Sequence, residues 1–258
     1  MLQVSGQYVA LINSRTGELL ASNDEGQTFS TYQEDQPPWV SPDDENEEYP
    51  ANFYSDQFAG NIAIVGEDLF LSEPWGPDGD YHEDEDCDTC DEEPSSTRIY
   101  RLENFASANR GTWTTIATFE GRPFPFDESD EWSQGIVSIG SDLGLVHAGK
   151  FFRSSDRGVS WQELSDGLPL VPGAHVVVQG SNLILEAGEH NGDDLQYVLE
   201  AGATQWRELG LRDFYVNCAS GTTLYGTLRS DENHWPWSWG RSQIYKSDDL
   251  GDTVVPVG

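Results

Sequence analysis

The acidic segment 73–96 contains the residues best suited to metal chemistry, because it holds a C-x-x-C pair. Cys87 and Cys90 form this pair, and His82 lies five residues before it among many carboxylates. Thiolate and imidazole are the ligands that zinc prefers, whereas carboxylates suit calcium. The spacing predicts a zinc site at Cys87, Cys90 and His82, with Asp80 or Asp84 as a further ligand, or a calcium site within 78–92.

Two other interpretations of the cysteine pair stay open. Strong zinc signatures have a second C-x-x-C pair, which this chain lacks. The two thiols can therefore form a local disulfide, or they can be reduced side chains of a solvated loop. The acidic run also departs from the calcium-binding loop of the EF-hand, which needs glycine at its sixth position and glutamate at its twelfth.

The segment 230–242 is rich in tryptophan and is the second candidate site. Exposed aromatic side chains anchor proteins or sugar rings, although any single tryptophan can equally cover the core. Because further tryptophans occur in other long loops, we expect one shared aromatic surface. The predicted binding residues are Trp235, Trp237, Trp239, His234, Arg241, Trp75, Trp39 and Trp132.

Catalytic signatures are missing from the sequence. It contains no G-x-S-x-G, P-loop or H-E-x-x-H motif. With 46 acidic residues, three carboxylates that could serve a glycosidase are bound to occur by chance. His147 and His175 fall in predicted strands, where we expect packing. Cys218 also falls in a predicted strand, and we expect a buried thiol there.

The net charge of −33 limits which partners the chain can bind. It arises from 46 acidic against 13 basic residues. Such a surface repels nucleic acid and anionic membranes and attracts basic proteins or peptides. An acidic proteome, as in a salt-adapted organism, explains the same charge without a partner. We expect a complex with a basic protein or peptide rather than a homo-oligomer.

The pattern Ser-x-Asp-x-Gly-x-Thr/Ser, followed by an apolar residue, occurs three times along the chain. Ser and Asp side chains bond to nearby backbone amides, and Gly supplies positive φ, so each copy predicts a tight turn between two strands. The residues of the three copies are Ser22, Asp24 and Gly26; Ser154, Asp156, Gly158 and Trp161; and Ser247, Asp249 and Gly251.

This repeat resembles the Asp-box, or BNR repeat, of sialidase-like β-propellers. The resemblance implies that each copy joins the third and fourth strands of a blade and has a structural role. Catalytic sialidases also carry three substrate-clamping arginines and an early Phe/Tyr-Arg-Ile-Pro motif, and the motif is absent here. The resemblance therefore implies a non-catalytic member of this group. A glycan-binding or glycoside-hydrolase-like propeller that uses the central channel is the alternative.

The spacing of short apolar runs predicts an all-β, single-domain β-propeller with five four-stranded blades. Trp206 takes the place in the fourth set of strands that Trp161 takes in the third. The predicted blades are residues 1–33, 59–119, 135–165, 174–210 and 213–258.

The predicted long insertions all fall on one face of this propeller. Connections between strands 2 and 3 of a blade, and between blades, open on what we call the long-loop face. Connections between strands 1 and 2, and between strands 3 and 4, open on the turn face, which carries the three repeats. Because binding residues concentrate on long loops of rigid scaffolds, we expect the site on the long-loop face. The insertions are 34–58, 73–96, 120–134 and 229–241, with a shorter one at 187–195.

The compartment depends on where the natural chain begins. The first residues lack a basic segment followed by a long apolar one, so the sequence predicts a cytoplasmic protein if Met1 is the native start. A secreted protein is expected if residues precede Met1.

Overall fold

The computed structural model describes residues 2–12, 18–32, 62–75, 96–120, 135–169, 173–188, 195–209, 214–220, 222–228, 243–251 and 253–257. These residues form five antiparallel sheets of four strands each, arranged as a β-propeller. In every sheet the strands lie side by side in chain order. The predicted all-β, five-bladed propeller is confirmed.

The strand bounds define the five blades. Blade 1 contains β1 (Leu2–Ser5), β2 (Tyr8–Ile12), β3 (Leu19–Ser22) and β4 (Ser30–Tyr32). Blade 2 contains β5 (Ile62–Val65), β6 (Asp68–Trp75), β7 (Ser96–Leu102) and β8 (Trp113–Glu120). Blade 3 contains β9 (Ile136–Ile139), β10 (Asp142–His147), β11 (Lys150–Ser154) and β12 (Gln162–Glu163). Blade 4 contains β13 (Gly173–Gln179), β14 (Asn182–Gly188), β15 (Leu195–Leu199) and β16 (Arg207–Leu209). Blade 5 contains β17 (Phe214–Ser220), β18 (Thr223–Leu228), β19 (Ile244–Ser247) and β20 (Val255–Pro256).

Two-residue turns join the first two strands of blades 1 to 4. Gly6, Gly66, Gly140 and Gly180 open four of these turns with φ of +57°, +62°, +61° and +60°. Positive φ at the first turn residue matches the twist of a hairpin, and glycine adopts it without steric cost. These glycines therefore fix the register in which the first two strands of those blades pair.

The core consists of apolar layers between consecutive blades. We call the side of a blade that faces the preceding blade its front side, and the opposite side its back side. Alternating residues of each strand point to these two sides. Four buried clusters fill the contacts between blades 1 and 2, 2 and 3, 3 and 4, and 4 and 5. Accordingly, β1 contacts β5, β5 contacts β9, β9 contacts β13, and β13 contacts β17.

Cys218 is exposed, so the expectation of a buried thiol is wrong. It follows an irregularity in the pairing of β17 with β18 and lies opposite Tyr225. This position puts Cys218 on the back side of blade 5, against which none of the four buried clusters of the described residues packs.

Gly158 lies where blade 2 touches the turn between β11 and β12. Its φ is +86°, and a Cβ added there would come closer than 3.0 Å to the Ile116 side chain of β8. Gly140 in the same blade has φ of +61° and no heavy atom within 4 Å of an added Cβ. The two glycines thus share the backbone requirement but differ in the space around them.

We predict that Gly140→Ala lowers the free energy of unfolding by about 1–2 kcal/mol through left-handed strain alone. Gly158→Ala should cost roughly 1–3 kcal/mol more because Ile116 must move. Urea unfolding of the two variants measures the difference. Equal losses would show that blade 2 does not pack on this turn as described.

Candidate functional site

The three Ser-x-Asp-x-Gly turns have the same hydrogen bonds, and all join the third and fourth strands of a blade. In blade 3, Ser154 Oγ donates to Asp156 Oδ1 (2.8 Å) and accepts from the Gly158 N–H (2.7 Å). The other end of the Asp156 carboxylate accepts from Ser160 Oγ (2.6 Å), while Oδ1 accepts the Ser160 N–H (2.8 Å). The turns of blades 1 and 5 repeat this pattern.

Backbone conformation explains the glycine in each copy. The glycine has positive φ, and the residue before it is left-handed as well, with φ of +61° at Glu25, +60° at Arg157 and +58° at Leu250. Two successive left-handed residues turn the backbone N–H groups inward, where the serine hydroxyl accepts one of them. Each of these carboxylates accepts three hydrogen bonds from its own turn, which indicates a structural role on the turn face.

Hydrogen bonding makes these carboxylates unusually acidic. The hydroxyl of Thr28 is the largest cause that lowers the pKa of Asp24 to about 2, and the hydroxyl of Ser160 does the same for Asp156, whose pKa is also about 2. The hydroxyl of Thr253 likewise lowers the pKa of Asp249. All three groups accept several bonds in the charged form, which stabilises that form.

Near the turn face, Trp161 packs between blades 2 and 3, and Trp206 packs between blades 3 and 4. Trp161 Nε1 donates to the Gly158 carbonyl at 3.0 Å, and its ring packs against the layer between blades 2 and 3. Trp206 Nε1 donates to the Leu164 carbonyl of blade 3 at 2.6 Å, and its ring meets Phe151 edge-on. The equivalence of Trp161 and Trp206 that the sequence indicates is borne out, since each packs toward the preceding blade just before the last strand.

Asp68 forms an ionic cluster that the sequence analysis missed. The buried Asp68 carboxylate accepts from Arg101 Nε (3.1 Å) and Nη2 (2.7 Å) within blade 2, and from Arg157 Nη1 (3.0 Å) of the blade 3 turn. Asp142 holds Arg153 in the same way in blade 3. The matching segments Val-Gly-Glu-Asp-Leu and Ile-Gly-Ser-Asp-Leu, at 65–69 and 139–143, were the signal for this repeated contact.

The long-loop face carries the longest connections between described strands. They are 33–61, 76–95, 121–135 and 229–243, whereas the longest connection on the turn face is 103–112. The strands reach further than the sequence indicates, because β6 continues to Trp75 and β7 begins at Ser96, opposite it. Trp75 thus ends a strand at the long-loop face.

Buried polar contacts support the rim of this face between blades 2 and 3. His147, at the end of β10, is buried, and its Nδ1 lies 3.0 Å from Thr97 Oγ1. Its Nε2 lies 3.2 Å from the Glu120 carbonyl, and its ring packs against Phe119. Burial lowers the pKa of His147, and the bond to the Glu120 carbonyl opposes this to a smaller extent. The expected packed role of His147 is confirmed.

Most predicted binding and metal residues lie outside the described residues. These are Trp39, His82, Cys87, Cys90, Trp132, His234, Trp235, Trp237, Trp239 and Arg241. The described backbone includes Trp75, and the described part of β13 includes His175, but neither side chain is described. The aromatic surface and the zinc, calcium and disulfide interpretations therefore stay predictions.

Within the described residues, no group of three or more His, Cys, Asp or Glu is placed to hold a metal ion. No helix long and apolar enough to cross a membrane occurs in the same part of the chain.

Comparison with known proteins shows similarity at the level of fold. No family model matches the sequence, and no curated protein does. Among solved structures, the GH74 xyloglucanase of Xanthomonas campestris superposes on 97% of this chain with a TM-score of 0.57 and 16% sequence identity. This chain spans 36% of that xyloglucanase. The likeness supports the propeller architecture.

We predict that acid weakens the fold through the three turn carboxylates. Their folded pKa values lie below the ordinary 3.8, so their contribution is present above about pH 4 and is lost as the pH falls toward 2. Asp24→Asn, Asp156→Asn and Asp249→Asn together should lower the melting temperature at pH 6 and flatten its dependence between pH 4 and 2. A steep dependence retained in the triple variant would assign acid sensitivity to other carboxylates.

His147 should make a separate contribution to stability near neutral pH. Because its pKa is lowered in the folded state, stability is complete above the ordinary value of 6.5 and declines as the pH falls below it. His147→Gln cannot take up this proton, so its melting temperature should change less than that of wild type between pH 7 and 5. Parallel melting curves of the two proteins over that range would contradict this assignment.

Proposed function

We propose that this chain is a non-catalytic propeller of the Asp-box type that binds a basic protein or peptide through its long-loop face. The observation that carries the proposal is the uneven distribution of connections, with the four longest all at one end of the strands. Scaffolds of rigid strands commonly present binding residues on such loops. At this end, the aromatic segment 230–242 lies between β18 and β19, and most of the acidic segment 73–96 lies between β6 and β7.

Internal bonding of the turn face supports the choice of face. Asp24, Asp156 and Asp249 direct their oxygens to groups of their own turns. Asp68 is buried and shared between two arginines. Acidic groups that are already satisfied in this way contribute little to recognition of a partner.

The charge distribution supports a basic partner. Both lysines pair with carboxylates: Lys150 with Glu163 and Lys246 with Asp248, each at 3.1 Å. Arg101, Arg153 and Arg157 also bind carboxylates. These cations of the described residues are therefore neutralised locally, and the net charge of −33 makes the field around the molecule negative. Such a field accelerates encounter with a basic protein and weakens as salt increases.

A second candidate function is binding or hydrolysis of a glycan. The fold likeness to a GH74 xyloglucanase favours it, and tryptophans also stack on sugar rings. Xyloglucan is the first glycan to test, by calorimetry for binding and by release of reducing sugar for hydrolysis. Neither activity is expected if the long-loop face serves a basic protein.

We predict that Trp235→Ala combined with Trp237→Ala weakens capture of the partner by roughly several hundredfold, since every 1.4 kcal/mol is about tenfold. Interface tryptophans at the centre of a contact each contribute about 2 kcal/mol or more. A pull-down from a lysate of the source organism, read by mass spectrometry, identifies the partner, and titration of the purified pair gives the affinity. Val159→Ala, at an exposed position of the turn face, is the control.

The double variant should melt at the temperature of wild type. Early unfolding would show that the two tryptophans belong to the core. Unchanged capture by a stable double variant would place the interface elsewhere. Raising the salt from about 50 to about 500 mM shortens the screening length severalfold, so the affinity for a basic partner should fall over this range. A constant affinity would contradict a basic partner.

A further inference from the structure

His147 is a buried histidine at the long-loop end of the contact between blades 2 and 3. It is the last residue of β10, it is 4% exposed, and it lies on the front side of blade 3 together with Leu145 of the cluster between these blades. Its ring contacts the back side of blade 2 at Thr97, Phe119 and the Glu120 carbonyl. The imidazole is thus a polar link between two blades.

The two hydrogen-bond partners of the imidazole border two long connections. Thr97 is the second residue of β7 and follows the connection 76–95, whereas Glu120 is the last residue of β8 and precedes the connection 121–135. The first connection contains ten Asp and Glu residues, and the second contains four. The imidazole therefore binds the strand ends from which both acidic connections leave blade 2.

A tight turn holds the histidine on blade 3. Ala148 and Gly149 join β10 to β11 with φ of +50° and +72°, and His147 pairs with Lys150 across them. Two successive positive φ values match the twist of a two-residue hairpin. The second and third strands of blades 2 and 5 are instead joined by 76–95 and 229–243. His147 therefore has a defined place on blade 3 from which it contacts blade 2.

Histidine occurs at this position of the repeat in blade 3 alone. The position is the seventh residue after the glycine of the first hairpin in each blade. In blades 1 to 5 it is occupied by Asn13, Glu73, His147, Ala187 and Leu228. The imidazole is therefore not required to build a blade, and it is particular to the contact between blades 2 and 3.

The neutral imidazole satisfies both of its partners. A carbonyl can only accept, so Nε2 carries the hydrogen and donates to the Glu120 carbonyl at 3.2 Å. Nδ1 then accepts from the Thr97 hydroxyl at 3.0 Å. An added proton would make Nδ1 a second donor, and the Thr97 hydroxyl would have to stop donating to it. The arrangement thus favours the neutral form.

On blade 3, a lysine and a glutamate share the side of the sheet that carries the imidazole. Lys150 pairs with His147 along the backbone of β11, and its ammonium binds Glu163 of β12 at 3.1 Å. Both side chains are nearly half exposed, so this ion pair lies at the solvent edge of the contact. β9 contains no titratable residue. The strand next to the imidazole therefore offers a cation rather than a carboxylate.

On blade 2, the side chains that face the imidazole are uncharged. β7 and β8 present Thr97 and Phe119, and β6 has a proline opposite Thr97. Arg98 and Glu120 alternate with these residues along their strands, so both side chains belong to the front side of blade 2, away from blade 3. Burial among such groups lowers the pKa of the histidine, because a charged imidazole loses its hydration there.

We propose that His147 is a pH-sensitive contact that regulates binding at the long-loop face, an inference that rests on the binding function proposed above. Near neutral pH the imidazole holds the ends of β7 and β8 against blade 3. Below about pH 6.5, the ordinary value for histidine, the proton is taken up most readily when this end of the contact opens to water. Opening releases the strand ends that carry the two acidic connections, and affinity for a basic partner falls.

Hydrogen exchange of the purified protein tests the opening without a partner. The ratio of open to closed forms should rise by up to about thirtyfold between about pH 7.5 and pH 5.0, because the open form has the ordinary histidine affinity for protons. The rates of peptides 96–102, 113–120 and 144–151, corrected for intrinsic pH dependence, measure this ratio by mass spectrometry. Peptide 8–12, from the contact between blades 1 and 2, is the internal control and should stay constant.

This comparison decides the proposal in wild type alone. A rise confined to the three peptides supports a pH-sensitive contact. An equal rise in peptide 8–12 would show unfolding of the whole propeller, and no rise in any peptide would show that the contact does not respond to protons. Either of these two results would overturn the proposal, and neither depends on finding a partner.

His147→Gln separates this histidine from the other four. Glutamine has a donor and an acceptor but does not titrate, so exchange at 96–102 and 113–120 should lose its pH dependence. His190→Gln, in the connection between β14 and β15, is the matched control and should keep the wild-type pH dependence. A His147→Gln protein that opens with acid as wild type does would assign the effect to another group and overturn the proposal.

Titration with the partner from the pull-down tests regulation. Because only the closed form binds, the affinity of wild type should fall between about pH 7.5 and pH 5.0 by the factor by which exchange shows the closed form to decrease. His147→Gln should lose less affinity over this range than His190→Gln. Equal losses for the two variants, or opening without any loss of affinity in wild type, would overturn the regulatory role. Failure to capture a partner would contradict the proposed function and leave the exchange result standing.

Discussion

Each blade of this protein is a four-stranded sheet that is apolar on both sides, and the whole fold depends on covering those sides. A sheet of this size cannot stay folded in water with both faces exposed, so each blade requires its neighbour. Four of the contacts are visible as continuous layers of buried Val, Ile, Leu and Phe. Polar contacts on the turn face reinforce these layers. In the Asp68 cluster, Arg157 from the turn of blade 3 binds Asp68 at the start of β6 in blade 2.

This dependence separates the two faces in function. The turn face holds short hairpins whose serine, aspartate and glycine residues satisfy one another, and its tryptophans are directed into the blade contacts. Lengthening those connections would disturb the packing of two blades at once. At the opposite ends of the strands the connections are not confined to short hairpins, and the chain places its longest and most acidic connections there. The binding role proposed for the long-loop face relies on this freedom, and the net charge is the reason for proposing a basic partner.

Much of the architecture was predictable because it arises from local chemistry. Alternating apolar residues indicate strands, glycine with positive φ indicates the hairpins, and the Ser-x-Asp-x-Gly pattern indicates the turns, all within a few residues of one another. Trp206 could be placed by comparison with Trp161 because both follow the same strand pattern. The prediction for Cys218 was wrong because the burial of a strand residue depends on what packs against that side of the sheet. Local sequence does not contain that information.

The sequence by itself therefore determined the number of blades, the pairing of their strands and the conformation of their tight turns, since each of these depends on residues close together in the chain. The tertiary structure decided which side chains meet between blades. It brought Arg157 to Asp68 across 89 positions and His147 to Thr97 across 50. Among the described residues, it also left the front side of blade 1 and the back side of blade 5 outside the four buried clusters. Such contacts depend on the angle and separation of whole sheets, and many different sequences with the same alternation of apolar residues would be compatible with other arrangements.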